Sequence, residues 1–402
     1  MKYVILQADG MPDHPLPELG NRTPLEVAHT PNLDKFAQTA IQFGLVKTIP
    51  NGLPPGSDVG NLSVLGYDPI KYYTGRSPLE AASIGVKLAE SDVSLRCNLV
   101  TLTESNGKSV MEDYSAGHIS TEEAKEIIID LKRGLETEKI RLFPGVSYRH
   151  LLVWSNGNAN IKTTPPHDIS GKEVSAYFPS GDGAEIHKEL IEKSKEILRD
   201  HPVNKKRIEE GKNPATSIWL WGQGTAPNMP KFNQLYGIEG AVISAVDLVK
   251  GIGVYAGLQV IDVPGATGYL DTNYQGKVDY ALRALDEVDL VMIHIEATDE
   301  TGHEGKADLK IQAIEDVDTR VLKNILEGIT RFKDYKILIL SDHPTPIDIR
   351  THVDEPVPYA ICASKDMDIK DHSLSYTEKF ASKTNVYIED GWKLMSIFLE
   401  IN

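Results

Sequence analysis

The sequence has 402 residues, of which 41% are hydrophobic, and this length predicts two domains or one domain with a large insertion. With 42 Lys and Arg against 58 Asp and Glu, the formal charge of -16 repels nucleic acid and anionic membrane surfaces and excludes them as expected partners. No apolar run approaches the roughly 18 residues of a membrane span, and the apolar start turns acidic too soon for a signal peptide, so we expect a cytoplasmic protein.

Short apolar runs rich in β-branched residues are the clearest structural pattern. They predict four buried strands, at residues 2–8, 258–263, 289–297 and 335–341. Amphipathic patterns between these runs predict helices over 278–288 and 314–329. Alternation of this kind predicts an α/β fold with a mostly parallel sheet that helices cover.

The middle of the chain has a different composition. It holds Lys- and Glu-rich helical stretches that are separated by segments rich in Pro, Gly and Asn. We therefore predict an inserted, smaller α+β domain at residues 86–239. Residues 1–85 and 240–402 would then form the core that carries the parallel sheet.

Carboxylate and imidazole side chains follow three of the predicted strands. The carboxyl ends of parallel strands meet at one crevice, so these side chains are expected to converge there. Together with one later histidine they form a set of six: Asp9, Asp299, His303, Asp342, His343 and His352. Singly, each has an ordinary alternative as a surface pair, a cap or a turn residue. Together they are about the number that two divalent ions need if each ion keeps a position open.

Ser57 lies between a Pro-Pro-Gly turn and the predicted start of a helix. As an N-cap it would stabilise that helix by about 1 kcal/mol. As a nucleophile it would be exposed at a tight turn, where a metal ion and the helix N-terminus stabilise its ionised oxygen. The two interpretations are compatible, and the residues by themselves leave both open.

Eight segments of the chain form a combined pattern. In chain order they are Asp9-Gly, PPGSDVGNLSVLGYDP, GRSPLEA, PPHDISG, GATGYLDTNYQGK, EATDETGHEG, SDHPTP and HVDEPVP. Together they resemble the archaeal-type, 2,3-bisphosphoglycerate-independent phosphoglycerate mutases of the alkaline-phosphatase-like metalloenzyme superfamily. The resemblance implies an alkaline-phosphatase-like sheet with helices on both faces. It also implies an isomerase that interconverts 3-phosphoglycerate and 2-phosphoglycerate through a phosphoserine intermediate at a two-metal site.

Carried over position by position, the resemblance assigns roles to individual residues. Ser57 would be the nucleophile, and Lys277 matches a lysine that the family places against the transferring phosphate. The metal ligands would fall into two sets, namely Asp299, His303 and His352 for one ion and Asp9, Ser57, Asp342 and His343 for the other. The two ions would be Mn, Zn or Mg, and a mixed Asp and His set favours Mn or Zn.

Substrate binding is expected to involve the insertion. By closing over the site it would exclude water and retain glycerate between the two transfer steps. Basic residues in or near it are candidates to bind carboxylate or phosphate groups: Arg76, Arg96, Arg149 and His167. The partner implied is a small phosphorylated substrate, and a homo-oligomer is compatible with this interpretation.

Three segments depart from the usual mutase pattern. DYSAGHI at 113–119 replaces an Arg-rich segment, LWGQG at 220–224 lacks an arginine, and GRSPLEA has Ser77 where Gly is usual. Two of these changes remove positive charge that would bind the anionic phosphoglycerate. The changed segments resemble instead a subgroup of these proteins proposed to be homoserine kinases. A kinase-like phosphotransferase is therefore one alternative, and a metal-dependent phosphatase or phosphonate hydrolase is a second. A non-catalytic binding protein is disfavoured because all seven ligands are present.

Overall fold

The computed structural model of the chain describes residues 1–105, 107–365, 368 and 371–400. Its internal contacts divide the chain into two compact units. The first unit combines Met1–Tyr73 with the chain from Asn228 onward, and the second is Thr74–Pro227. The composition of the sequence predicts this second unit at residues 86–239, and the contacts place it about twelve residues earlier at each end.

Strands and helices alternate along much of the described chain. The strands are β1 (Lys2–Ala8), β2 (Gln42–Val46), β3 (Val93–Ser105), β4 (Lys108–Asp113), β5 (Ile140–Phe143), β6 (Arg149–Trp154), β7 (Ser217–Thr225), β8 (Gly240–Ile243), β9 (Gln259–Ile261), β10 (Leu290–Ile295), β11 (Tyr335–Leu340), β12 (Val357–Ala363) and β13 (Tyr387–Ile388). The helices are α1 (Pro24–Val27), α2 (Pro31–Thr39), α3 (Ser57–Val64), α4 (Pro69–Tyr72), α5 (Ser77–Ser83), α6 (Thr121–Leu135), α7 (Glu185–Leu198), α8 (Pro202–Glu209), α9 (Phe232–Tyr236), α10 (Asp247–Ala256), α11 (Tyr274–Ala284), α12 (Ala297–Glu304), α13 (Ala307–Asp316), α14 (Lys323–Gly328), α15 (Glu378–Lys383) and α16 (Leu394–Glu400).

The first unit is built on an eight-stranded sheet in the order β13-β2-β12-β11-β1-β10-β8-β9. The pairings make seven strands run in one direction and β12 in the other. The runs at 2–8, 289–297 and 335–341 are the three adjacent central strands β1, β10 and β11, and the run at 258–263 contains the edge strand β9. The predicted mostly parallel sheet is therefore confirmed.

Both faces of this sheet are covered. Along β1, Val4 and Leu6 belong to the core on one face, while Ile5 and Gln7 point to the opposite face and are buried as well. Helices α10 and α11 pack against β8 and β10, respectively. Strands that are buried on both sides have continuous apolar sequences, and this is why the central strands could be predicted.

The structure extends or corrects several predicted elements of the first unit. The helix predicted at 278–288 begins earlier, at Tyr274, because the Asn273 side chain accepts a hydrogen bond from the amide of Gly276. The helix predicted at 314–329 starts within α13 and reaches α14 through a π-helical segment, Val317–Leu322. The antiparallel strand β12 was missed because a strand that contains Pro358 reads as a loop.

The second unit has an antiparallel sheet. Its long strand β3 pairs with β6 and β7 over its first half and with β4 over its second half, and β5 completes the sheet beside β6. Helix α6 begins at a capping box formed by Ser120 and Glu123, and it packs with α7, which contacts β7. An apolar core that includes Leu95, Leu99 and Ile127 lies between the sheet and these helices.

None of the helices in the described part of the chain is both long enough and apolar enough to cross a membrane.

Candidate metal centre

The predicted ligands lie at the carboxyl ends of the three central strands. Asp9 directly follows β1, and Asp342 and His343 come just after β11. Asp299 lies in the first turn of α12, which begins two residues after β10. His303 is one turn further along the same helix, with its Nε2 3.2 Å from Asp299 Oδ2. The convergence expected from a parallel sheet therefore occurs in the first unit.

Gly10 allows these segments to approach one another closely. It has a φ of +61°, in the left-handed region that favours glycine. A Cβ atom at this position would lie 2.5 Å from both Asp299 Oδ1 and Thr345 Oγ1. A glycine is therefore required after Asp9 for close packing as well as for the turn, because any side chain at this position would displace Asp299.

Two groups of side chains have ligand atoms within 4.8 Å of one another. One group is Asp9, Asp342 and His343, and the other is Asp299, His343 and His352. His303 joins the second group, because its Nε2 lies 2.9 Å from His352 Nε2. The structure brings all the predicted carboxylate and imidazole ligands together, but it places His343 within reach of both groups rather than one.

His343 is central to the first group. Its Nε2 lies 3.6 Å from Asp9 Oδ1 and 3.4 Å from Asp342 Oδ2. The same nitrogen is 3.1 Å from the hydroxyl oxygen of Ser57. The predicted nucleophile therefore faces the atoms of one ligand set directly.

The buried carboxylates are arranged as a cation would require. Asp9 is only 1% exposed, yet its Oδ1 has no hydrogen-bond partner. Burial, and then the charges of Asp342 and Asp299, raise the pKa of Asp9 well above its usual range. A divalent cation would supply the missing partner of Asp9 Oδ1 and offset the repulsion between the carboxylates. These oxygen and imidazole donors fit a metal ion such as Mn or Zn.

The second group holds a strongly polarised His-Asp pair. Burial alone would lower the pKa of His303, but its hydrogen bond with Asp299 raises that pKa to about 9. Burial would raise the pKa of Asp299, but hydrogen bonds with His303 and His352 hold it well below its usual range. A metal ion binds neutral imidazole, so metal uptake at neutral pH would release the His303 proton and strengthen as the pH rises.

Ser57 is the first residue of α3, and it does not cap the helix. The N-cap is Gly56, and no side chain makes the cap hydrogen bond. The helix packs closely behind Asp342, one of the predicted ligands, since a Cβ atom at Gly60 would lie 2.6 Å from the Asp342 carbonyl oxygen. Asn61 Nδ2 donates hydrogen bonds of 2.9 Å to both the Ser57 carbonyl and Asp342 Oδ2. The hydroxyl of Ser57 is thus free of the capping role that the sequence left open.

His294 is a site residue that sequence reasoning missed. It lies in β10 and is fully buried, with Nε2 2.9 Å from Asp9 Oδ2 and Nδ1 3.1 Å from Ser244 Oγ. Burial lowers its pKa to about 4, so the ring is neutral at neutral pH. Lys277 is also fully buried, and its ammonium donates a 2.9 Å hydrogen bond to the His294 carbonyl. His294 could have been found from the sequence, because it is a histidine inside an otherwise apolar strand.

The second unit brings together its predicted substrate-binding residues. Arg76 and Arg96 share Glu80, with Nε to carboxylate distances of 3.2 and 3.0 Å. The Arg96 guanidinium carbon lies 4.1 Å from the ring centroid of Trp221, and the His167 ring centroid lies 5.4 Å from it. Burial lowers the pKa of His167, and the nearby charges of Arg96 and Arg76 lower it further.

Aromatic residues extend this group toward Arg149. The Arg149 guanidinium carbon lies 5.6 Å from the ring centroid of Tyr148. Tyr114 packs edge-on against the rings of Tyr148, His118 and His167 at 5.9 to 6.4 Å. We call this set the basic cluster: Arg76, Arg96, Arg149, His167, His118, Tyr114, Tyr148 and Trp221. Three of its members lie in DYSAGHI and LWGQG, which sequence reasoning had treated only as losses of charge.

Known proteins with similar sequences share one description. A family model described as 2,3-bisphosphoglycerate-independent phosphoglycerate mutase matches residues 39–204. A Methanosarcina mazei protein with that name is 56% identical over 363 residues, which cover 90% of each chain. A Geobacter sulfurreducens protein named as a probable enzyme of this kind is 51% identical over 400 residues, with 100% of both chains covered.

Two solved structures have the same fold. A Pyrococcus horikoshii protein superposes with a TM-score of 0.83 at 31% identity and covers 99% of this chain and 96% of its own. The cofactor-independent phosphoglycerate mutase of Thermoplasma acidophilum superposes with a TM-score of 0.66 at 28% identity, with coverage of 100% and 99%.

Proposed function

The chain belongs to the metal-dependent 2,3-bisphosphoglycerate-independent phosphoglycerate mutases, and we propose that its Ser57 carries the phosphoryl group between the two hydroxyls of glycerate. The enzyme interconverts 3-phosphoglycerate and 2-phosphoglycerate, so its substrate is a small phosphorylated molecule. One observation carries the assignment of Ser57: its hydroxyl makes no cap hydrogen bond and instead lies 3.1 Å from His343 Nε2. This reaction belongs to glycolysis and gluconeogenesis, and we place the protein in the cytoplasm on that basis.

Two divalent ions are proposed at this site. The ligands of one would be Asp299, His303 and His352, and those of the other Asp9, Ser57, Asp342 and His343. When bound, such ions supply positive charge that favours the ionised Ser57 hydroxyl and offsets the charge of the phosphate. The proposed donor atoms, carboxylate oxygens and imidazole nitrogens, favour Mn or Zn over Mg.

The chain's own residues then carry out two successive transfers. Ser57 Oγ gives up its proton and attacks the phosphorus of 3-phosphoglycerate in line, and the bond from phosphorus to the glycerate oxygen breaks as phosphoserine forms. The glycerate oxygen takes up one proton as it leaves, so the first transfer is balanced. The N-terminal amides of α3 stabilise the anionic phosphate next to Ser57. Glycerate then turns, its other hydroxyl attacks the phosphoserine, and Ser57 is regenerated. We propose that Lys277, whose ammonium is buried and donates to the His294 carbonyl, acts on the transferring phosphate through its positive charge.

We propose that the basic cluster of the second unit holds the substrate. Its arginines and His167 would bind the carboxylate and phosphate of phosphoglycerate, and its aromatic rings would limit water around them. Retention of glycerate between the two transfers is the main requirement, because water that reached the phosphoserine would release phosphate instead. The departures from the usual mutase pattern would then change which side chains bind the substrate rather than remove the binding.

Arg149→Met is expected to raise the KM for 3-phosphoglycerate about 10-fold. A charge-assisted hydrogen bond contributes about 1.5–3 kcal/mol, and each 1.4 kcal/mol is about tenfold in affinity. Arg149 is exposed, so the variant should keep the wild-type unfolding midpoint. Steady-state kinetics test this, with Arg133→Met as the control because Arg133 is an exposed arginine of α6 that pairs with Asp130. An equal KM in wild type and Arg149→Met would contradict the proposed role.

Phosphorus NMR can test the complete proposal. Metal-loaded enzyme is incubated with 3-phosphoglycerate in the absence of nucleotide and bisphosphoglycerate, and Mn is chelated before observation. We expect 2-phosphoglycerate to form, and an acid-quenched sample to contain a phosphorylated peptide with Ser57. A second incubation with homoserine and ATP should stay unchanged. Growth of phosphohomoserine and ADP would favour the kinase alternative, and inorganic phosphate without an isomer would favour the phosphatase alternative.

A further inference from the structure

A layer of buried polar groups lies directly behind the proposed metal ligands. Thr345 is in the loop after β11, two residues beyond His343, and it is fully buried. Its hydroxyl donates a hydrogen bond to Asp299 Oδ1. The same oxygen lies 3.3 Å from His343 Nδ1. One hydroxyl therefore contacts a ligand of each proposed ion.

The number of hydrogens in these contacts determines the tautomer of His343. A threonine hydroxyl has one hydrogen to donate and two lone pairs that accept. Because Thr345 donates to Asp299, its contact with His343 requires Nδ1 to carry the hydrogen and donate to Thr345 Oγ1. The lone pair of His343 is then on Nε2, the nitrogen that faces Ser57 and Asp9. A histidine that binds a metal through Nε2 needs this tautomer.

Thr345 is itself fixed from behind by a buried cation. The Lys310 ammonium donates 2.8 Å hydrogen bonds to the Thr345 carbonyl and to Asp13 Oδ2. The Asp13 carboxylate in turn accepts a hydrogen bond from the Ile347 amide. Lys310 belongs to α13, while Asp13 and Thr345 follow β1 and β11. The ammonium thus ties both ligand-bearing loops to one helix.

The packing around Thr345 leaves little freedom. A Cβ atom at Gly302 would lie 2.5 Å from the Thr345 carbonyl oxygen. Gly302 belongs to α12, the helix that carries Asp299 and His303. The loop after β11 and the ligand-bearing helix are therefore in direct contact at this residue, and a small change in one would move the other.

We propose that Thr345, anchored by Lys310, is a positioning residue that orients Asp299 and sets the tautomer of His343 through a single hydroxyl. This inference rests on the proposed two-ion centre. Its consequence is that both ions depend on Thr345, although Thr345 is a ligand of neither.

Thr345→Val tests the inference because valine has nearly the same shape and lacks the hydroxyl. Metal-free protein is titrated with Mn²⁺, and free Mn²⁺ is followed by electron paramagnetic resonance. The wild type should bind two ions, and the variant should bind both about 10- to 100-fold more weakly, as is usual when a group behind metal ligands is removed. Thr345→Ser restores the hydroxyl and should stay within a few-fold of wild type. Thr345→Ala also removes the hydroxyl and repeats the test with a smaller side chain.

Thr39→Val is the matched control. Thr39 is a buried threonine of α2 whose hydroxyl bonds the carbonyls of its own helix, at Lys35 and Phe36. The Thr39→Val variant should keep wild-type affinity for both ions. Urea unfolding of each metal-free variant separates a loss of stability from a loss of metal affinity.

Several outcomes would overturn the inference. These are unchanged affinity in Thr345→Val, weakening of one ion only, the same weakening in Thr345→Ser, or equal weakening in Thr39→Val. Binding of fewer than two ions by the wild type would overturn the proposed two-ion centre itself. That result is distinguishable because it requires no variant.

Discussion

Ser57→Ala is expected to abolish mutase turnover, by about 10⁴-fold or more, because it removes the oxygen to which the phosphoryl group is transferred. The fold should be unaffected. The lost hydroxyl contacts His343 Nε2 and makes no cap hydrogen bond. The variant therefore should not lose the stability of about 1 kcal/mol that a serine N-cap contributes. Turnover of 3-phosphoglycerate and the unfolding midpoint of the same preparation measure the two effects separately.

Ser63→Ala is the matched control for this experiment. Ser63 lies on the same helix, is buried, and donates its hydroxyl to the Thr48 carbonyl. Its replacement should cost about 1 kcal/mol of stability and leave turnover unchanged. The two variants should therefore show opposite patterns. Wild-type-like turnover in Ser57→Ala would rule out a phosphoserine at this position.

Asp9→Asn is expected to change stability in opposite directions with and without metal. In the metal-free protein, burial and the charges of Asp342 and Asp299 raise the pKa of Asp9, so its ionisation destabilises the folded state. The neutral amide removes that cost, and the metal-free variant should be more stable than wild type at neutral pH. With metal the order reverses, because the lost carboxylate should weaken metal binding at least about 10- to 100-fold and reduce turnover at least as much.

The destabilising effect of Asp9 on the metal-free protein should depend on pH. The folded protein holds a proton on Asp9 to a higher pH than the unfolded chain, whose Asp pKa is about 3.9. The contribution of Asp9 to the free energy of unfolding of the metal-free protein should therefore fall as the pH rises above about 4, through the raised pKa of Asp9. Buried His294, whose pKa is lowered, contributes the opposite trend in both proteins, so the difference between wild type and Asp9→Asn isolates the Asp9 contribution. Urea unfolding across this pH range, with and without Mn²⁺, measures both effects.

Asp13→Asn is a suitable comparison for the metal-free state. Its carboxylate is as deeply buried as that of Asp9, but it pairs with the Lys310 ammonium at 2.8 Å. Removing a carboxylate that has a cationic partner leaves that cation unpaired, so this variant should lose stability. If Asp9→Asn were destabilised in the same way without metal, the repulsion inferred among the carboxylates would be wrong.

The core strands and the convergence of the acidic and histidine side chains were predictable for the same reason. Strands β1, β10 and β11 are buried on both faces, so each appears in the sequence as an uninterrupted apolar run. The acidic residues and histidines that follow such runs must lie at one edge of a parallel sheet. Strand β8 has only four residues, and β12 contains a proline, so neither could be recognised from a local pattern.

The contacts within the basic cluster could not be predicted from the residue types alone. Tyr114, His118 and Trp221 lie in segments that differ from the usual mutase pattern, and the sequence alone suggested only lost positive charge. The structure brings these side chains together with His167, Tyr148 and Arg96. These side chains meet only because the second unit packs distant segments together, and the spacing of the residues along the chain does not reveal such packing.

The central strands, the residue types that follow them and the family motifs are properties of short segments, so they can be read from the amino-acid sequence. Which atoms face one another depends instead on the tertiary structure. It placed His343 between two ligand groups, left the Ser57 hydroxyl without a capping role, and set Thr345 behind Asp299 and His343. Contacts such as that of Asp9 with His294 join positions 285 residues apart. Such contacts follow from strand order and packing in three dimensions, which local patterns do not encode.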